Sequence, residues 1–138
     1  KNGVRIVIID SLNGYVNAMP EERFLIIQMQ ELLSYLNQKG IATFMIVAQH
    51  GLIGTTMNSP VDVSYLADTV VLMRYFEAAG HVSKAISVLK RRSGPHEKSI
   101  REISFTSSGV KVGEPLSNFR GVLTGVPERE MDPFKGQM

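Results

Sequence analysis

Two nearly all-apolar runs, Val4-Arg5-Ile6-Val7-Ile8-Ile9 and Ile41-Ala42-Thr43-Phe44-Met45-Ile46-Val47-Ala48, flank a single amphipathic stretch. No other feature of the chain limits its fold so strongly. Runs of this length read as parallel strands buried on both faces. Between them, Pro20-Glu21-Glu22 suits a helix start, because proline fits the first turn and carboxylates favour the positive end of the helix dipole. Leu25, Met29, Leu32 and Leu36 follow at helical spacing, and Ile26 and Leu33 widen the stripe. Lys39-Gly40 supplies the basic residue and the glycine that end a helix. The segment before the helix, which contains Gly14, reads as a loop. Strand, helix and strand with short connections make a βαβ unit, so the two strands are expected to be parallel neighbours.

Both strands then release polar residues at one edge: Asp10 and Ser11 from the first, Gln49 and His50 from the second. Open α/β sheets hold their ligands beyond the carboxyl ends of the strands. Asp10 is therefore either a ligand group or a residue that starts a loop, as acidic residues commonly do. As a ligand group it fits a Walker B carboxylate, which holds magnesium directly or through water beside nucleotide phosphates. Gln49 at the neighbouring strand end can sense a phosphate or orient a water; the plainer reading is a solvated turn with His50 and Gly51. Such a site needs a phosphate loop. No G-x-x-x-x-G-K-[ST] pattern occurs and the chain has no Gly-Lys dipeptide, so the expected P-loop precedes Lys1.

Composition narrows the chemistry further. With 138 residues, 43% apolar and 20% charged, the chain reads as one domain or part of one. The absence of cysteine excludes disulfides, thiolate nucleophiles and zinc-thiolate sites. His50, His81 and His96 lack metal-ligand spacing. No G-x-S-x-G elbow surrounds Ser11, which argues against a serine hydrolase. The apolar runs are too short for a membrane span and the amino end lacks signal-peptide character, so a cytoplasmic location is expected.

The second half changes character. Thr55 to Tyr65 is polar, contains Pro60 and reads as a loop leading to a short turn or helix. Strands are expected at 69–74 and 83–92, and at 101–106 and 110–112 around a Ser107-Ser108-Gly109 hairpin turn. This half should be antiparallel. Residues 128–138 read as a mobile tail. The formal net charge of +2 is small, but Lys84, Lys90, Arg91, Arg92, Lys98 and Arg101 fall close together. On a strand, Lys90 and Arg92 share a face while Arg91 points away, and a turn brings His96 back toward them. That group suits a polyphosphate clamp. An edge strand that uses cations against aggregation would carry the same residues.

Taken in order, VRIVIIDSLNGY, IATFMIVAQHG, Ala67-Asp68-Thr69-Val70-Val71-Leu72-Met73, KAISVLKRRSGPH with Ser99-Ile100-Arg101-Glu102, and GVLTGVP resemble the KaiC-like ATPases of the RecA superfamily. The resemblance covers residues 4–127. It implies an α/β fold: part of a RecA-like P-loop NTPase core, with parallel strands and a crossover helix followed by antiparallel C-terminal strands. Residues 1–127 would then be the C-terminal part of such a domain, with the P-loop and the family's catalytic glutamates upstream.

The resemblance also implies roles. Asp10 matches the Walker B aspartate that serves magnesium, with Ser11 beside it in the nucleotide site. Gln49 stands where the family places a γ-phosphate sensor. Lys90, Arg92 and His96 match a K-x-R-x-x-x-H pattern that contacts ATP bound to the neighbouring subunit of a hexameric ring, and Arg91 joins them as nucleotide-binding. Gln49 and Arg92 are the catalytic candidates, Arg92 stabilising charge on the transferring phosphoryl group in trans. Clock proteins of this kind phosphorylate a Ser-Thr pair before the third strand. Here the pair is Ser64-Tyr65, and Ser64 also reads as a turn hydroxyl. The implied function is a magnesium-dependent ATPase in signalling, with an autokinase activity as a further implication. Two alternatives stand beside it: a single-strand nucleic-acid-handling ATPase of the recombinase or helicase kind, and a non-catalytic segment with packing and oligomer contacts alone. No aromatic residue lies between Lys84 and Arg101, so that stretch carries no base-stacking platform of its own.

Overall fold

The computed structural model describes residues 3–18, 22–48, 64–124 and 127–129. The chain forms two compact units, one built around residues 1–50 and 58–66, the other around 51–57 and 67–138.

In the first unit, β1 (Ile6–Asp10) pairs in parallel with β2 (Ala42–Ile46), from Ile6 opposite Ala42 to Asp10 opposite Ile46. The crossover helix is α2 (Glu22–Gln38). Leu25, Met29 and Leu36 of its apolar stripe are buried, while Leu32 remains 37% exposed. Burying each such side chain contributes about 1.5–3 kcal/mol. Leu12, Leu25 and Met29 form the core, with Ile26, Met45, Val47 and Leu66 packed around them. The helix ends in a Schellman motif. The Ile41 N–H donates to the Leu36 carbonyl at 3.0 Å and the Gly40 N–H to the Asn37 carbonyl at 2.9 Å, with Gly40 at φ 70°.

Two expectations change here. The segment after β1 is a short helix, α1 (Leu12–Ala18), not a loop. Leu12 explains it: at 1% exposure it anchors the segment in the core, and tertiary packing overrides the low helix propensity of Gly14 and the asparagines. The strands are also not buried on both faces. Val7, Ile9, Thr43 and Met45 are half-buried, whereas Ile6, Ile8, Phe44 and Ile46 on the other face are exposed; the core of this unit, around Leu12, Leu25 and Met29, takes in Met45 from the first face.

The second unit is an antiparallel sheet in the order β3 (Thr69–Ala78), β4 (His81–Arg91), β5 (Arg101–Thr106) and β6 (Gly109–Pro115). β3 and β4 are longer than their periodicity suggested. They meet at Ala78 opposite His81 through a turn in which Ala79 (φ 51°) and Gly80 (φ 76°) are both left-handed. That is a type I′ hairpin turn, whose twist matches the strands it joins. The expected hairpin between β5 and β6 is present, with Thr106 opposite Gly109. Phe76, Ala85 and Val122 form the core, with Ala78, Ile100, Leu116 and Phe119 around them. Val122 belongs to a 3-10 turn (Val122–Thr124) within the GVLTGVP segment. β7 (Phe119–Arg120) pairs with β8 (Glu128–Arg129), and Arg120 holds Glu128 at 2.7 Å. Glu128 and Arg129, expected to begin a mobile tail, are thus paired in a strand; 130–138 lie outside the described residues.

Candidate functional site

The first candidate group stands at the carboxyl edge of the parallel pair. Asp10 ends β1 directly across from Ile46 and is exposed, and Ser11 after it is half-buried. The Asp10–Ser11 peptide is cis. Among the described residues no cation forms a salt bridge with Asp10. Gln49 and His50 lie outside the described residues, as do residues 55–63 of the loop expected over 55–65. The chain leading to Gln49 is described as far as Ala48, and Asn13 holds that residue. The Asn13 Nδ2 donates to the Ala48 carbonyl at 2.9 Å, and the Ala48 N–H donates to Asn13 Oδ1 at 2.8 Å. Ser64 lies in a turn, followed by an exposed Tyr65.

The second group belongs to the antiparallel unit. Lys90 is half-buried opposite Val70, and Arg91 is exposed opposite Thr69. A register shift between Val70 and Val71 makes Leu89 the extra residue of a β-bulge. From Lys90 outward the pairing is regular and continues past the strand: the Arg92 N–H donates to the Asp68 carbonyl at 2.7 Å. By this register Lys90 and Arg92 stand on one side of the ladder and Arg91 on the other. The chain then turns through Gly94, at φ 79°, to a half-buried His96.

Several of these cations already have partners. Arg92 forms an ion pair with Asp68 at 3.1 Å, both side chains being largely exposed. The Arg91 Nη1 donates to the Pro95 carbonyl at 3.1 Å and so closes the turn it precedes. Arg101 is held from three sides: Nε donates to Ser99 Oγ at 3.0 Å, Nη1 to the Gly113 carbonyl at 3.1 Å and Nη2 to Glu97 Oε2 at 3.3 Å. It links the entry of β5 to β6. The backbone N–H of Ser99, donating to Glu97 Oε1 at 3.0 Å, and the Ser99 hydroxyl hold the Glu97 carboxyl below the usual range, and the Arg101 charge acts in the same direction.

Three features of interest escaped sequence reasoning. Asn13 gave no signal, because its partner is 35 positions away. Arg74 is only 8% exposed on the core side of β3, and its Nη2 donates to the Thr124 carbonyl at 3.1 Å. Its parity with Leu72 and Phe76 was the available clue. The Lys84 ammonium lies 5.6 Å from the Tyr75 ring centroid and 5.1 Å from that of Phe105, rings supplied by other strands. The basic stretch therefore does have aromatic neighbours, in space but not in sequence.

The family model "ATPase: KaiC" matches residues 1–117. The circadian clock protein KaiC3 of Synechocystis sp. is 32% identical over 123 residues, 88% of this chain and 24% of that protein. The circadian clock oscillator protein KaiC of Thermostichus vulcanus is 29% identical over 123 residues, 89% of this chain and 24% of that protein. That of Parasynechococcus marenigrum is 32% identical over 95 residues, 69% of this chain and 19% of that protein. The chain thus spans about a quarter or less of the length of these curated relatives. A parallel pair with a crossover helix, followed by an antiparallel sheet, is the architecture expected of a partial RecA-like domain, and the chain belongs to the KaiC family of ATPases.

Proposed function

We propose that the chain is the Walker B-bearing portion of a magnesium-dependent ATPase that works in the cytoplasm as a ring of copies in clock-type signalling. The observation that carries this reading is the parallel register: it sets the exposed Asp10 carboxylate at the sheet edge where α/β folds hold phosphates. A single carboxylate suits magnesium, which keeps several waters and takes phosphate oxygens as ligands. Among the described residues no cluster of three or more His, Cys, Asp or Glu offers a protein cage instead. When bound, the ion neutralises charge on the phosphate oxygens. Asp10 holds it, Ser11 lines the nucleotide and Gln49 orients the attacking water. The phosphate loop is supplied elsewhere in the full-length protein.

Lys90, Arg91, Arg92 and His96 act on nucleotide held by the neighbouring copy, with Arg92 stabilising transition-state charge in trans. The pair it makes with Asp68 is exposed on both sides and is worth about 0–1 kcal/mol, so a phosphate oxygen can replace that carboxylate at little cost. Ser64 precedes Tyr65 and not a threonine, so the proposal does not extend to autophosphorylation.

The test uses full-length protein. Asp10→Asn and Arg92→Ala should each abolish most ATP turnover, and Arg92→Ala should leave nucleotide binding in cis intact. Mixing the two variants should restore part of the activity, because some interfaces then pair an intact Asp10 with an intact Arg92. Wild-type turnover in Arg92→Ala, or no recovery on mixing, would remove the trans assignment. The nucleic-acid reading gains one observation, the exposed Tyr75 and Phe105 rings beside Lys84. Binding of single strands that weakens steeply with salt and is lost in Phe105→Ala would favour it.

A further inference from the structure

Asn13 and Ala48 belong to the same unit, and their contact pairs both polar atoms of the Asn13 carboxamide with both backbone polar atoms of Ala48. The β1–β2 ladder ends at Asp10 opposite Ile46, so the chain from Val47 onward has left the pairing that aligned it. Asn13 takes over there. A carboxamide presents one acceptor and a pair of donors on a short stem, the same groups a peptide unit presents to its strand neighbour. Accepting from the Ala48 N–H at 2.8 Å while donating to its carbonyl at 2.9 Å, Asn13 pairs with Ala48 as a residue of an adjoining strand would. Few side chains can do this. An aspartate is acceptor-only and would set its charge against the Ala48 carbonyl. A serine carries one oxygen, and a glutamine is one methylene too long for the same seat.

The position of the contact gives it a meaning beyond stability. Asn13 lies in α1, which begins directly after Asp10 and Ser11 and is anchored by the fully buried Leu12. Ala48 is the residue before Gln49. The contact therefore joins the turn that carries one candidate group to the strand end that carries the other. We infer that Asn13 is a positioning residue: by holding both backbone polar groups of Ala48, it sets the direction in which the chain leaves β2 for Gln49 and fixes that exit relative to Asp10. This rests on the reading of Asp10 as the metal carboxylate and Gln49 as the water-orienting residue. Its effect falls on the chemical step, because a displacement of about 1 Å in a catalytic group costs up to a hundredfold in rate while binding contacts elsewhere persist.

The experiment compares full-length wild type with Asn13→Ala, Asn13→Asp, Gln49→Ala and Asp10→Asn. Steady-state ATP hydrolysis is measured alongside amide hydrogen exchange at Ala48. In Asn13→Ala, kcat should fall about tenfold or more with KM for ATP within about twofold of wild type. Exchange at the Ala48 amide should accelerate, while amides in the middle of α2 keep wild-type protection. Asn13→Asp, which keeps its size and the acceptor for the Ala48 N–H, should lose kcat similarly and decides the question by the same measurements if Asn13→Ala does not fold. Wild-type kcat in a folded Asn13 variant that exposes the Ala48 amide, or a loss expressed only in KM, would overturn the inference while Asp10→Asn and Gln49→Ala, both impaired, leave the functional reading in place. Wild-type turnover in Gln49→Ala or Asp10→Asn would overturn both, since Asn13 would then have nothing to position.

Discussion

Arg74 reaches from the core side of β3 to the carbonyl of Thr124, joining the antiparallel sheet to the GVLTGVP segment at 3.1 Å. Val122 in the same turn is buried against Phe76 and Ala85. A guanidinium on a core face is tolerated there in part because its Nη2 donates to a backbone acceptor at the end of the 3-10 turn. Arg74→Ala removes the stem and leaves the Thr124 carbonyl without this donor. Chemical unfolding should show a loss of about 2–4 kcal/mol, in the range for breaking buried charged contacts. A loss below about 0.5 kcal/mol would mean the contact contributes nothing.

The β3–β4 turn offers the opposite sign. Ala79 sits at φ 51°, where an L side chain crowds the carbonyl, at a position that type I′ turns prefer to fill with asparagine. Ala79→Asn should raise stability by about 0.5–1 kcal/mol, read as a higher denaturation midpoint with an unchanged slope.

Gly40 closes α2 at φ 70°, and a Cβ added there would meet nothing within 4 Å. The cost of Gly40→Ala is thus conformational and not steric crowding by neighbours. It should destabilise the chain by about 1 kcal/mol, with Gly40→Asn recovering part of the loss, in thermal or denaturant unfolding.

Glu97 gives a pH dependence. Its carboxyl titrates below the ordinary value of 4.5 because Ser99 donates to the ionised form from its backbone and its hydroxyl, and Arg101 adds its charge. A folded-state value below the unfolded one contributes stability that is fully present above about pH 4.5 and is lost as the pH falls through the lowered value. Glu97→Gln should therefore flatten the acid limb of a stability–pH curve below that point and change little in its shape near neutrality. An identical acid limb in the variant would count against this account.

Asp68 separates stability from function. Its ion pair with Arg92 is solvent-exposed, so Asp68→Asn should alter stability by no more than about 0.5 kcal/mol. If Arg92 serves a neighbour's phosphates, freeing it from a competing carboxylate should raise turnover of the full-length protein or leave it unchanged. A severe loss would show that Asp68 holds Arg92 in its working position.

The sequence by itself was sufficient for the parallel pair, the crossover helix and the β5–β6 hairpin. Each is encoded locally, by apolar runs of strand length, by the Leu25-Met29-Leu36 spacing with Gly40 behind it, and by a turn signal at Ser107-Ser108-Gly109. Asp10 was legible for the same reason, as a carboxylate at the end of an apolar run. What only the tertiary structure decided depends on residues far apart in the chain. Leu12 makes a helix of a segment whose composition suggests a loop, because the core rewards its burial more than Gly14 penalises the helix. Arg74 becomes a core residue through Thr124, and Lys84 finds rings on other strands. The basic stretch shows the difference most plainly. Composition counted its charges alike, but pairing divides them: Arg91 and Arg101 hold backbone carbonyls, Arg92 meets Asp68, and a bulge at Leu89 sets the side on which Lys90 stands. Charge is additive along a sequence, whereas a hydrogen bond needs a partner at a set distance, and only the fold supplies one.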